Sequence, residues 1–128
     1  MSKRMKILRM TLRKEPFEMI KSGIKKEEYR EIKNYWLDRF RFDGSLFKLY
    51  HNQKALIPRR RRFLNIPDII IFTNGYRSDS PSLAIWCTGI KIGTSKKKWL
   101  GDGGECIVIS LGDLLTYSEI KRFVPLPK

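Results

Sequence analysis

Cysteine and histidine are nearly missing from this 128-residue chain, which holds two cysteines, Cys87 and Cys106, and one histidine, His51. No CxxC pair or Cys/His ligand spacing exists, which argues against a structural zinc site, and the scattered acids form no convincing cluster for a harder cation. The expectation is a protein that needs no cofactor. Both cysteines sit in apolar runs; two on neighbouring strands could approach each other, but in a reducing compartment such residues act as small hydrophobes. His51, alone, reads as a loop or surface residue, and Ser/His/Asp catalysis finds no support. Long apolar runs are missing too. None approaches the roughly 20 residues of a membrane span, and the start, MSKRMKILRM, has no apolar signal region. A cytoplasmic protein without a membrane partner is expected. Repeats and linker-like stretches are absent, and 128 residues with 41% hydrophobic side chains suit a single domain over residues 1–128.

Negative charge is scarce: 13 Asp and Glu stand against 27 Lys and Arg, a net +14. The excess is uneven, because residues 1 to 62 carry 19 basic and 7 acidic side chains, net +12, and the remainder only +2. A field of this size attracts polyanions, of which nucleic acid is the commonest, although charge alone specifies neither sequence nor chemistry. A basic surface that meets acidic membrane or protein would carry the same signal.

Along the chain, residues 6 to 12 (KILRMTL) set Leu8, Met10 and Leu12 against Ile7, Arg9 and Thr11, the alternation of a half-buried strand. In EPFEMIKSG, Pro16 suits a first helical turn, Phe17 and Ile20 share a face, and Gly23 supplies a left-handed stop. KEEYREI fits extended chain, after which Asn34 is placed to cap a short helix with Trp36 and Phe40 on one face. Residues 41–66 read as a basic insertion with a turn at FDGS, a helix over LFKLYHNQKALI, and the run Arg59, Arg60, Arg61, Arg62. Three strands follow in PDIIIFTNGY, in SLAIWCTGIKIG with a bend or bulge at Gly89, and in ECIVISLGDLL. Between the last two lies the basic, glycine-rich loop TSKKKWLGDGG, and residues 116–128 read as a C-terminal extension with a short helix. The order predicts an α+β fold, a small mixed sheet covered by short helices, for which partial closure into a barrel would hide the edges.

The densest chemistry lies in SGIKKEEYREIKNYW, residues 22 to 36. Gly23 lets the backbone turn sharply, so that Lys25 just beyond it can project into a cleft. Glu28 and Arg30, two apart in extended chain, point to the same side. Arginine offers a planar fork to phosphate or a base edge, glutamate accepts from an exocyclic amine, and Lys25 adds a point charge. Tyr29, Tyr35, Trp36 and Tyr76 are candidate stacking rings, with Asn74 beside Tyr76 as a polar contact. Lys33, Arg59 to Arg62, Lys96, Lys97 and Lys98 are the candidate phosphate contacts. The competing structural reading pairs Glu28 with Arg30 and Lys25 to fix the strand, assigns Trp36 to the core with Phe40, and leaves the arginine run as a solvated loop.

Gly23-x-Lys25-x-x-Glu28-x-Arg30, following a strand and a helix, resembles the GxKxxExR signature of ASCH domains, relatives of the PUA RNA-binding fold. FTNGY (Phe72 to Tyr76), GIKIG (Gly89 to Gly93) and ECIVISLGDLL look like the small stand-alone bacterial and phage members, so that the resemblance spans about residues 5 to 115. It implies a PUA-like, partly closed β-barrel of about five or six strands flanked by short helices, with a cleft lined by the signature. The family is proposed to bind RNA, and some members resemble amidohydrolases that deacetylate acetylated cytidine with a Lys, Thr and Glu set, while others behave as ribonucleases. Here Lys25 takes the lysine position but Glu28 occupies that of the threonine, so the nucleophile of that activity is missing, and no matching downstream glutamate is evident. The arginine-rich insertion also departs from the compact family pattern.

Three functions compete. The first is a module that takes an RNA base or nucleotide in the cleft while the basic half holds phosphates. The second is a metal-independent hydrolase acting on RNA or a modified nucleoside there, with Lys25 as a base and Glu28 as proton shuttle. The third is a protein-interaction factor using its basic face.

Overall fold

A computed structural model describes residues 4–41 and 63–125. Strand β1 (Ile7–Leu12), helix α1 (Lys14–Lys21), strand β2 (Glu27–Arg30), helix α2 (Asn34–Arg39) and strands β3 (Ile69–Asn74), β4 (Ser82–Thr94) and β5 (Glu105–Leu114) precede a last helix, α3 (Tyr117–Phe123). The strands form one five-stranded mixed sheet in the order β1-β3-β4-β5-β2, so the α+β class with few short helices is observed. The candidate run Arg59 to Arg62, His51 and most of the expected insertion lie outside the described residues.

The chain divides into two compact units, each built from separated segments. The first comprises Met1–Lys26, Pro67–Thr88 and Leu111–Lys128; the second comprises Glu27–Ile66 and Gly89–Ser110. In the first, β1 runs parallel to β3 with Leu8 opposite Ile70 and Met10 opposite Phe72, and β3 runs antiparallel to β4 with Ile71 opposite Ala84. Four successive residues of β3, Ile69 to Phe72, are buried, which explains a continuous apolar run where β1 alternates: β3 is covered on both faces. On one face Ile69, Ile71, Ala84 and Leu115 cluster beneath Met5, Ile7, Trp86, Phe123 and Val124, with Phe123 edge-on to Trp86 at 5.8 Å. Helix α3, which supplies Phe123, starts at a capping box in which Thr116 Oγ1 accepts from the Glu119 amide and Glu119 accepts from the Thr116 amide. Helix α1 also packs on β3, burying Phe17 and Ile20.

In the second unit β2 lies antiparallel to β5, setting Glu28 opposite Ile109 and Arg30 opposite Ile107. Ile107, Val108 and Ile109 are fully buried there, together with Leu37, Phe40, Phe63, Ile90 and Ile92. Asn34 is not the cap expected of it. Lys33 holds the N-cap position in extended backbone with no side-chain cap bond, and Asn34 already lies inside the helix. Trp36 and Phe40 do share a face, with rings stacked at 5.6 Å and 16°. Strand β4 continues through Gly89 to Thr94. Both cysteines are free thiols, and burial pushes the Cys106 thiol above its ordinary range, consistent with a small core residue.

Candidate nucleic-acid interface

The turn after α1 determines where Lys25 goes. Gly23 adopts φ +82°, a left-handed conformation that suits glycine, and the amides of Ile24 and Lys25 then both donate to the Met19 carbonyl at 3.0 Å. The chain reverses tightly, and Lys25 ends 2% exposed. Glu28, three residues on, is 6% exposed. Among the described residues these are the two buried charged side chains, and both belong to the GxKxxExR motif. An ionised group in a protein interior is costly unless hydrogen-bonded, and no fully buried side-chain nitrogen or oxygen of the described residues lacks a partner.

Strand β2 separates two sets of side chains by simple alternation. Glu28 and Arg30 share one face, where Arg30 Nη1 donates to Glu28 Oε2 at 2.9 Å and to the Tyr29 carbonyl at 2.8 Å. The guanidinium lies 5.6 Å from the centre of the Trp36 ring, which is itself backed by Phe40, and Phe40 meets Phe63 edge-on at 6.0 Å. Carboxylate, carbonyl and indole therefore fix the plane of the guanidinium. Both hydrogen bonds use Nη1; among the described residues neither Nε nor Nη2 has a protein acceptor, and the Arg30 side chain is 21% exposed. The edge that remains can present two parallel N–H donors to a phosphate or to the Hoogsteen edge of guanine.

Tyr29 and Glu27 occupy the opposite face. The Tyr29 hydroxyl donates to Glu27 Oε1 at 2.8 Å and accepts from the Lys96 amide at 3.1 Å. Burial, aided by the bond to Glu27 and opposed by that from Lys96, holds this phenol protonated, with its pKa pushed up to about 12. Tyr29 thus anchors the basic loop through its hydroxyl, a role that sequence reasoning, which placed it among the stacking rings, missed.

That loop has an internal scaffold. Ser95, 5% exposed, accepts at Oγ from the amides of Asp102 and Gly103, each at 3.1 Å, and donates to Asp102 Oδ1 at 3.1 Å. Asp102 Oδ1 also takes the Gly104 amide at 2.7 Å, and these bonds, that from Gly104 first, hold its carboxyl below the usual carboxylate range. The Ser95 amide donates to the Gly104 carbonyl at 2.9 Å, and the Gly101 amide to the Lys96 carbonyl at 2.9 Å. A short 3-10 turn, Lys97–Trp99, rides on this frame. Exposed Lys96 and Lys98 place their Nζ atoms 4.7 and 4.5 Å from the centre of the Trp99 ring, and Lys97 beside them is also exposed. No local pattern in TSKKKWLGDGG marks this scaffold, which forms only when the chain returns Asp102, Gly103 and Gly104 to Ser95.

Of the candidate residues, Glu28, Tyr29, Arg30, Lys33, Lys96, Lys97 and Lys98 belong to the second unit, with Lys33 exposed at the start of α2. Lys25, Asn74 and Tyr76 belong to the first. Asn74 ends β3, its amide bonded to the Pro81 carbonyl at 2.9 Å, and Tyr76 stands 93% exposed in the connection to β4, where Gly75 has φ +108°. No helix among the described residues is long and apolar enough to cross a membrane. No family model, curated protein or solved structure matches the chain.

Proposed function

We propose that this protein is an RNA- or nucleotide-binding module of the ASCH, PUA-like kind, in which Arg30 of β2 recognises a phosphate or base edge and the basic half supplies the field that draws the polyanion in. The observation that carries this reading is that Lys25 and Glu28, the two buried charged side chains among the described residues, come from one short motif whose third charge, Arg30, keeps a partly exposed, unspent donor edge. Buried charge is a poor way to gain stability, since well-packed apolar residues of similar size often serve as well or better. A ligand that uses the group so oriented accounts for its presence. The net charge of +14 adds long-range attraction without specificity.

Arg30→Lys separates fork from charge. The variant keeps a cation but loses bidentate geometry, so fluorescence anisotropy with a labelled single-stranded RNA should show binding weakened at least about fivefold, with a nearly unchanged melting temperature. Wild-type affinity in Arg30→Lys would overturn the assignment. The hydrolase alternative rests on Lys25 and Glu28 themselves; mass spectrometry of the same incubations would support it through a product that disappears in Glu28→Gln.

A further inference from the structure

We propose that the loop 95–104 is a stacking platform for single-stranded nucleic acid, with Trp99 receiving a base and Lys96 and Lys98 engaging the phosphates on either side; this rests on the nucleic-acid reading above and names the element that holds the strand. Several features set this loop apart from an ordinary solvated lysine cluster. Its backbone is held by the Ser95 hydroxyl, the Asp102 carboxylate and two cross-loop amide–carbonyl bonds, and it is pinned to β2 by the Tyr29 hydroxyl. Its one carboxylate is occupied inside the loop, on the Gly104 amide and the Ser95 hydroxyl, while the ammonium groups of Lys96 and Lys98 lie outward against the indole.

Trp99 is half-buried and carries an ammonium within 4.7 Å of its ring centre twice over. At an exposed site such a contact is weak, and lysine keeps its freedom to leave. A nucleobase offers the ring a larger apolar face than an ammonium does, and stacking tolerates any base identity. When a base takes the ring, the displaced lysines lie where the flanking phosphates pass, so one rearrangement satisfies both partners. Because the backbone is already fixed, binding orders little beyond these side chains.

The test is anisotropy with two labelled oligonucleotides of equal length and charge, a twelve-residue oligouridylate and its abasic counterpart. The wild-type protein should prefer the base-containing strand about tenfold, a size typical of base–aromatic stacking. Trp99→Ala should lose that preference, Trp99→Phe should keep most of it, and Lys96→Ser with Lys98→Ser should flatten the salt dependence by about 1.4, from about 0.7 for each phosphate contact. A Trp99→Ala protein that still prefers the base-containing strand, or a wild type that binds both strands equally, overturns this inference and leaves the proposed function standing. A wild type that binds neither strand overturns both.

Discussion

The Tyr29 hydroxyl receives the Lys96 amide at 3.1 Å across a sequence separation of 67 residues. The relationship ties the strand that carries Glu28 and Arg30 to the loop that carries three lysines and Trp99 inside the second unit. It also divides the labour along β2: even-numbered residues build the Arg30 site, and odd-numbered ones hold the loop.

Removing that hydroxyl has a spectroscopic signature. Burial raises the Tyr29 pKa from its ordinary 10.0 to about 12, so the folded chain holds this proton more tightly than the unfolded one. The resulting stability is complete below pH 10 and is lost as pH rises through about 12. A titration of phenolate absorbance should contain one late component that Tyr29→Phe abolishes. If the late component survives in Tyr29→Phe, the assignment fails.

Lys25 is more than 95% buried, so its truncation should reach stability as well as function. Lys25→Ala removes the γ-, δ- and ε-methylenes together with the ammonium and leaves the former partners of that ammonium unsatisfied, for an expected loss of about 2–5 kcal/mol in urea unfolding. Lys25→Met keeps the volume and should recover much of the packing contribution. A Lys25→Ala protein as stable as wild type would contradict the burial of this side chain.

Gly101 is where the loop allows no side chain. A Cβ there would stand 2.6 Å from Ser95 Oγ and 2.8 Å from the Lys96 amide nitrogen, both inside contact distance. Gly101→Ala should therefore displace the Ser95 hydroxyl from the Asp102 and Gly103 amides and accelerate hydrogen exchange at both positions, which are the readout. Unchanged protection at those amides would show that the loop does not depend on this packing.

What could be read from the sequence was governed by distance along the chain. The period of two in β1, the apolar run of β3, the glycine stop after α1 and the short helix of the C-terminal segment are local patterns, and each has its expected counterpart in the structure. The Glu28–Arg30 contact was also legible, because two residues apart in a strand must share a face. Features made by remote partners were not. Trp36 was assignable to a helix face with Phe40, but its position behind the Arg30 guanidinium depends on how α2 meets β2. Ser95 looks unremarkable in TSKKKWLGDGG until the chain returns Asp102, Gly103 and Gly104 to its hydroxyl and amide. Asn34 illustrates local chemistry overruled: a good capping residue one position too far along, already in helical conformation behind Lys33.

Whether the basic charge and the Arg30 site serve a nucleic acid is decided by the salt dependence of single-stranded RNA affinity. Each phosphate neutralised on a single strand releases counterions and contributes about 0.7 to the negative slope of log affinity against log salt. Contacts from Arg30, Lys96 and Lys98 together predict a slope steeper than about −2 in the wild type, becoming shallower as each is replaced. Affinity that does not change with salt, or no measurable binding even at low salt, would mean that neither the charge nor Arg30 serves a nucleic acid.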